Sequence, residues 1–130
     1  MKKEIIICIV IVIAIIIANI YTEKYTIESV KTISSGLMNL RQDVVNVENV
    51  DKDKCLVSTN KIKENWNIVY NNLAYFIEHD ELEKVENSLI AVKSYLDAEE
   101  YGECVSKIDE ADFVLKHIQR KYQITLKNIF

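Results

Sequence analysis

Apolar side chains recur along most of this chain at steps of three and four, the repeat of one face of a helix. Ile27, Val30, Ile33, Leu37, Leu40, Val44 and Val47 form a first stripe. Asp51-Lys52-Asp53-Lys54 interrupts it as a polar turn, with Asp51 or Asp53 placed to cap a new helix. Cys55, Thr59, Ile62, Trp66, Val69, Leu73 and Phe76 make the second stripe. His79-Asp80-Glu81 reads as a tight turn with Asp80 as the cap, before Leu82, Val85, Leu89, Val92 and Leu96. Glu99-Glu100-Tyr101-Gly102 reads as the next break, and Tyr101, Cys104, Ile108, Ala111, Leu115 and Ile118 complete the last stripe. Heptad-like seams joined by short turns force antiparallel neighbours. The expected fold is all-α, an antiparallel helical bundle or stacked helical hairpins, with 122–130 as a further helical extension or docking tail.

The pattern fails in one place. Ile5 to Ala18 is fourteen residues without a polar side chain, apolar on every face. As a helix it spans roughly 21 Å, and about 25 Å if extended through Tyr21, against a bilayer core of about 30 Å. Lys2 and Lys3 can snorkel outward, and Tyr21 and Tyr25 fall where interfacial aromatics belong. A cleaved signal is the competing reading, but Ala18 at −1 would put Ile16 at −3, a poor site. A strand of this length, apolar on both faces, would aggregate in water. The expectation is a transmembrane helix over residues 1–21 that contacts membrane lipid, followed by a helical domain over residues 22–130. Lys2 and Lys3 precede the run, whereas Lys24 and Lys31 after it are interleaved with Glu23 and Glu28. That bias predicts a cytoplasmic N-terminus and an extracytoplasmic domain at the cell membrane.

Composition supports helix, with no Pro and only two Gly in 130 residues. Charge narrows the partners. Beyond residue 21 there are 14 basic and 19 acidic side chains. Twelve of the acids lie between Glu78 and Asp112, facing only Lys84, Lys93 and Lys107, while no acid follows Asp112. An acidic domain repels phosphates, so no nucleic-acid partner is expected. The basic tail (Lys116, Arg120, Lys121, Lys127) would complement its own acidic neighbours, anionic headgroups or an acidic partner. A weak internal repeat at an offset of 49 residues matches Ile33 with Leu82, Leu40 with Leu89 and Cys55 with Cys104. Two helical hairpins of similar length would give it, and so would chance alignment of heptads.

The stretch from Trp66 through "LAYFIEHDELEKVENSLIAVKSYLDAEEYGECVSKIDEADFVLKHI", with the closing "LKNIF", resembles the domain of unknown function 4363 family. These are small membrane-anchored helical bacterial proteins of unassigned function. The resemblance rests on Trp66, Phe76, Ile77, His79, Glu81, Leu89, Leu96, Leu115, His117 and Leu126-Lys127-Asn128. It implies helical architecture, single-pass anchoring, no known enzyme activity and the company of multi-spanning membrane proteins.

Candidate chemistry is sparse. His79, Asp80, Glu81 and Glu83 form the densest group of metal-ligand types, yet carboxylate-bridged bundles use paired Glu-x-x-His motifs that are missing. A capping turn explains the group more simply. His117, beside the last stripe, reads as a helix-end residue before it reads as a ligand. Trp66 reads as core, or else as a binding hot spot. Cys8 behaves as a small hydrophobe in the apolar run. Cys55 and Cys104 each open a helix at the same end of an up-down bundle, where they would be buried free thiols or, after export, a disulfide. There is no Gly-rich elbow, phosphate loop or Cys-x-x-Cys. The expectation is therefore no enzyme, no cofactor and no metal. The expected role is an interaction or scaffold protein acting with an integral membrane protein, a homo-oligomer being compatible with it. The alternative is a ligand-binding or sensory bundle, with Trp66, His79, Glu81 and His117 as candidate interaction or pocket residues.

Overall fold

The computed structural model describes the backbone of residues 1–129 and the side chains of residues 1–46 and 48–123. Four helices account for nearly all of it: α1 (Lys2–Val45), α2 (Lys52–Leu73), α3 (His79–Asp97) and α4 (Tyr101–Ile129), with a short 3-10 turn at Val47–Asn49. α1 packs on α2, α2 on α3, α3 on α4 and α4 back on α1, the α3–α4 pair being the most extensive. This is an up-down-up-down bundle, the first of the two arrangements expected. The connections 46–51, 74–78 and 98–100 are too short for parallel neighbours.

The stripes are its core. Val30, Ile33, Leu37, Leu40 and Val44 of α1 meet Cys55, Ile62, Trp66 and Leu73 of α2 in one cluster. Leu82, Val85, Leu89, Val92 and Leu96 of α3, with Cys104, Ile108, Ala111, Leu115 and Ile118 of α4, complete it. Ile27, Val69, Phe76 and Tyr101 are half-buried at its edges. The expected core position Val47, the tail from residue 124 onward and the motif positions Leu126, Lys127 and Asn128 lie outside the described side chains. Buried hydroxyls are satisfied locally, Thr59 donating to the Cys55 carbonyl at 2.8 Å and Thr26 to that of Thr22 at 2.8 Å. Asp112, also buried, accepts from Ser34 across the α1–α4 seam and pairs with Lys116 at 2.7 Å.

The helix boundaries correct two expectations. Asp51 does cap α2, accepting from the Lys54 amide at 3.1 Å. His79-Asp80-Glu81, however, is not a turn. All three residues lie in the first turn of α3, and its N-cap is Glu78, which makes no side-chain capping bond. Asp80 and Glu81 instead complement the positive end of the helix dipole. The chain actually reverses over 74–78, where the Phe76 and Ile77 amides bond to the Leu73 carbonyl at 3.0 and 2.8 Å. The break expected over Glu99-Glu100-Tyr101-Gly102 is shorter, 98–100, since Tyr101 and Gly102 already belong to α4, and the chain turns on Glu99. Glu99 adopts φ 58°, and the following Glu100 amide bonds back to the Tyr95 carbonyl at 2.9 Å. Gly102 sits in the first turn of α4 in open space.

α1 is continuous over 44 residues, about 66 Å at 1.5 Å per residue. Its C-terminal half is one wall of the bundle. Its N-terminal half holds an 18-residue stretch long and apolar enough to cross a membrane, none of it buried against the rest of the chain. Burial along α1 begins at Thr26.

Candidate functional site at the anchor end of the bundle

The four sequence candidates all lie toward the end of the bundle from which the apolar half of α1 projects, but they form two groups. Trp66 on α2 is 1 % exposed. Its ring meets Tyr70 one turn on, edge to face, with centroids 6.0 Å apart. Among the described residues its Nε1–H, though buried, has no acceptor. Tyr70 carries the contact outward, its hydroxyl lying 3.1 Å from Nδ1 of His79. Nε2 of His79 lies 2.9 Å from the Glu83 carboxylate. Burial, then the negative charges of Glu86 and Glu83, hold the Tyr70 hydroxyl above its ordinary range, so it stays protonated. Among the described residues Trp66 and His79 are thus linked through Tyr70, which no sequence signal singled out.

Glu81 and His117 belong to the second group. Glu81 is only 9 % exposed, on the buried face beside Leu82. Lys121 of α4 reaches it at 3.3 Å and Glu78 at 2.9 Å, while His117 Nε2 stands 3.5 Å from the same Glu81 oxygen. Those hydrogen bonds, Glu78 first, raise the Lys121 ammonium above its usual range. The arrangement ties the start of α3 to the outer part of α4. It also accounts for the burial of Glu81, since a desolvated carboxylate needs paired charge and hydrogen bonds. Among the described residues, no three His, Cys, Asp or Glu side chains converge to hold a metal ion.

A third feature was not predicted. Tyr21, Thr22 and Tyr25 of α1 face Asn72, Tyr75 and Phe76 of the α2–α3 connection across an open groove of about 330 Å³. The Tyr25 hydroxyl accepts from Asn72 Nδ2 at 2.8 Å, and the Thr22 and Tyr122 hydroxyls are hydrogen-bonded to each other. Phe76 packs on Tyr122 with centroids 5.5 Å apart. Aromatic residues from α1, α4 and the α2–α3 connection therefore gather at the level where the apolar half of α1 ends. Tyr21 and Tyr25 were legible as interfacial residues. Tyr75, Phe76 and Tyr122 were not, because only the tertiary fold brings them there.

Cys55 and Cys104 lie at the opposite end, both buried and both free thiols. Burial, followed by the neighbouring Cys55, pushes Cys104 up to about 11. Its thiol points at the Val92 carbonyl, 3.7 Å away.

No curated protein and no solved structure matches this chain significantly. A family model does, from residue 20, where the long apolar stretch closes, to residue 129. With the packed part of α1 and α2, α3 and α4 inside that match, the chain belongs to the family described as domain of unknown function (DUF4363).

Proposed function

We propose that this protein is a single-pass membrane protein whose helical bundle serves as an interaction or scaffold module for an integral membrane partner, without catalysis of its own. One observation carries this reading: the helix that is long and apolar enough to span is the same helix that forms one wall of the bundle. With no Pro and no Gly before Gly36, nothing in α1 acts as a hinge. A bundle mounted in this way has a fixed height and azimuth over the bilayer, as a docking module needs and a tethered enzyme does not. The apolar length is short for a bilayer, and association with other helices is one way to accommodate mismatch. Lys2, Lys3 and the α-amino group before the run, against Lys24 and Lys31 interleaved with Glu23 and Glu28 after it, favour an extracytoplasmic bundle. The acidic stretch Glu78–Asp112 and the basic residues Lys116, Arg120 and Lys121 give two oppositely charged surfaces to orient a partner.

The test is chemical crosslinking of tagged full-length protein at native level, extraction in mild detergent, sizing and mass spectrometry. A stoichiometric integral membrane protein is expected. Monomer or self-oligomer alone, under every growth condition, would refute the reading. The ligand-binding alternative then gains, and a specific feature favours it. A groove of about 380 Å³ between α1 and α2 is lined by Ser35, Asn39, Ser58, Lys61 and Asn65 above Ile62. Close approach there depends on Gly36, where an added Cβ would sit 3.1 Å from Ile62 Cγ1.

A further inference from the structure

We propose that the α2–α3 connection is a second membrane contact, seating the aromatic residues Tyr75 and Phe76 in the headgroup layer beside the point where α1 leaves the bilayer. This deepens the single-pass reading above and rests on it.

The argument begins with height. Tyr21 and Tyr25 follow Ile20, the end of the apolar run, by about 1.5 and 7.5 Å of helical rise. The headgroup region on each side of a bilayer is about 5–8 Å thick. Any residue beside Tyr21 and Tyr25 is then inside that layer. The 74–78 connection is such a neighbour, since Asn72, Tyr75 and Phe76 share a groove with Tyr21, Thr22 and Tyr25, and Asn72 is hydrogen-bonded to Tyr25. The contact is rigid, because α1 is unbroken and Tyr122 ties α4 to both Thr22 and Phe76.

Chemistry points to the same occupant. Tyr75 is 89 % exposed and Tyr21 is 70 % exposed, an unusual state for large rings on one end of a soluble bundle. Amphipathic rings are at home at the bilayer interface, with the ring among upper acyl segments and the hydroxyl in the headgroups. The surface continues directly into the apolar half of α1, so lipid that surrounds the anchor also reaches the groove. Charge then selects the lipid. Glu78, Asp80 and Glu83 are exposed just beyond the turn, and Lys121 is engaged by Glu78 and Glu81. Among the described residues Lys24, paired with Glu28, and Arg120 do not outweigh these acids, so this rim has no excess of cations to attract anionic headgroups, and docking is to the zwitterionic interface, carried by the rings. The short apolar length of α1 works in the same sense, since a bilayer that thins less than the full mismatch keeps its interface raised toward the turn.

The full-length chain reconstituted in phosphatidylcholine vesicles provides the test, with lipid brominated high on the acyl chain as a quencher. Single-tryptophan reporters are placed by Tyr21→Trp, Tyr75→Trp and Asn49→Trp in a Trp66→Phe background. Asn49 is exposed at the far end of the bundle. The Tyr75→Trp reporter is expected to lose at least about half as much emission as Tyr21→Trp, as two interfacial rings at similar depth should. Asn49→Trp is expected to stay unquenched, and added phosphatidylglycerol to change nothing. Quenching of Tyr21→Trp without that of Tyr75→Trp overturns the second contact and leaves the anchor standing. No quenching of Tyr21→Trp overturns both. A Tyr75→Trp reporter shielded from aqueous iodide but not quenched by lipid means that another protein chain covers the turn, and it too overturns the proposal. A requirement for anionic lipid refutes the choice of occupant. Should the Trp66→Phe background not fold, a nitroxide on Tyr75→Cys in a Cys8→Ala chain, read by oxygen and aqueous-relaxant accessibility, gives the same discrimination.

Discussion

Trp66 combines two opposing terms, and substitutions can separate them. It is 1 % exposed in the middle of the second stripe, among the largest fully buried side chains. Truncation to alanine removes most of a buried area of roughly 150–250 Å² and leaves a cavity. At about 25 cal/mol per Å² the full area corresponds to about 4–6 kcal/mol, an upper bound because the unfolded chain already buries part of it, and truncation of a buried aromatic to alanine costs about 3–5 kcal/mol in all. Trp66→Phe loses far less area, and it also removes an Nε1–H that is buried without an acceptor. Such a group costs about 1–3 kcal/mol, which offsets much of the lost packing. The expected pattern is therefore strongly asymmetric. Trp66→Ala lowers the urea midpoint and the melting temperature steeply, by more than about 10 °C for a domain of this size, whereas Trp66→Phe stays within about 1 kcal/mol of the parent. Circular dichroism melts and urea titrations of the full-length chain in detergent measure both, and the blue-shifted emission of the single tryptophan reports its burial in the parent. Equal destabilisation by alanine and phenylalanine would refute the reasoning, because it would mean that the indole N–H is satisfied and holds Trp66 in place. A melting temperature unchanged in Trp66→Ala would put the residue on the surface.

Two further outcomes are expected. Glu99 holds φ 58°, a conformation that costs an L-residue roughly 1–2 kcal/mol and glycine almost nothing. Glu99→Gly should raise stability by about 0.5–1 kcal/mol, since the Lys52–Glu99 pair it loses is exposed and long at 3.9 Å; a lower urea midpoint would show that the pair or the backbone reading is wrong. Cys104, buried and pushed up to about 11 from the 9.0 of a free thiol, should resist iodoacetamide in the folded protein at about pH 8 and react at once on unfolding. The native state favours the neutral thiol, so its contribution to stability is complete below the unfolded value near 9 and is lost as pH rises through about 11. The urea midpoint should therefore fall over that window more steeply in the parent than in Cys104→Ala; equal slopes would contradict the shift.

Local periodicity alone determined the helices and most of the core. A stripe such as Leu82, Val85, Leu89, Val92, Leu96 needs no partner to be recognised, because the 3.6-residue repeat fixes which face must leave water. The apolar half of α1 was equally plain, since a helix greasy on every face has no solvent side to offer. The boundaries were less legible where backbone geometry outranked residue type. The 74–78 reversal contains neither Gly nor Pro, and packing of Phe76 and Ile77 at the bundle end sets it, while Asp80 and Glu81, which resemble turn residues, are favoured in a helix first turn by its dipole. The strained position at the next break fell to Glu99 although Gly102 stood three residues away, because chain direction and the end of α3 decide where φ must turn positive. The candidate site lay furthest from the sequence. Thr22 meets Tyr122 across 100 residues, Tyr25 meets Asn72 across 47, and Lys121 reaches Glu81 across 40. No periodicity encodes such pairs. They exist because four antiparallel helices bring their ends to one level, and only the packed bundle makes that level the place where the apolar half of α1 emerges.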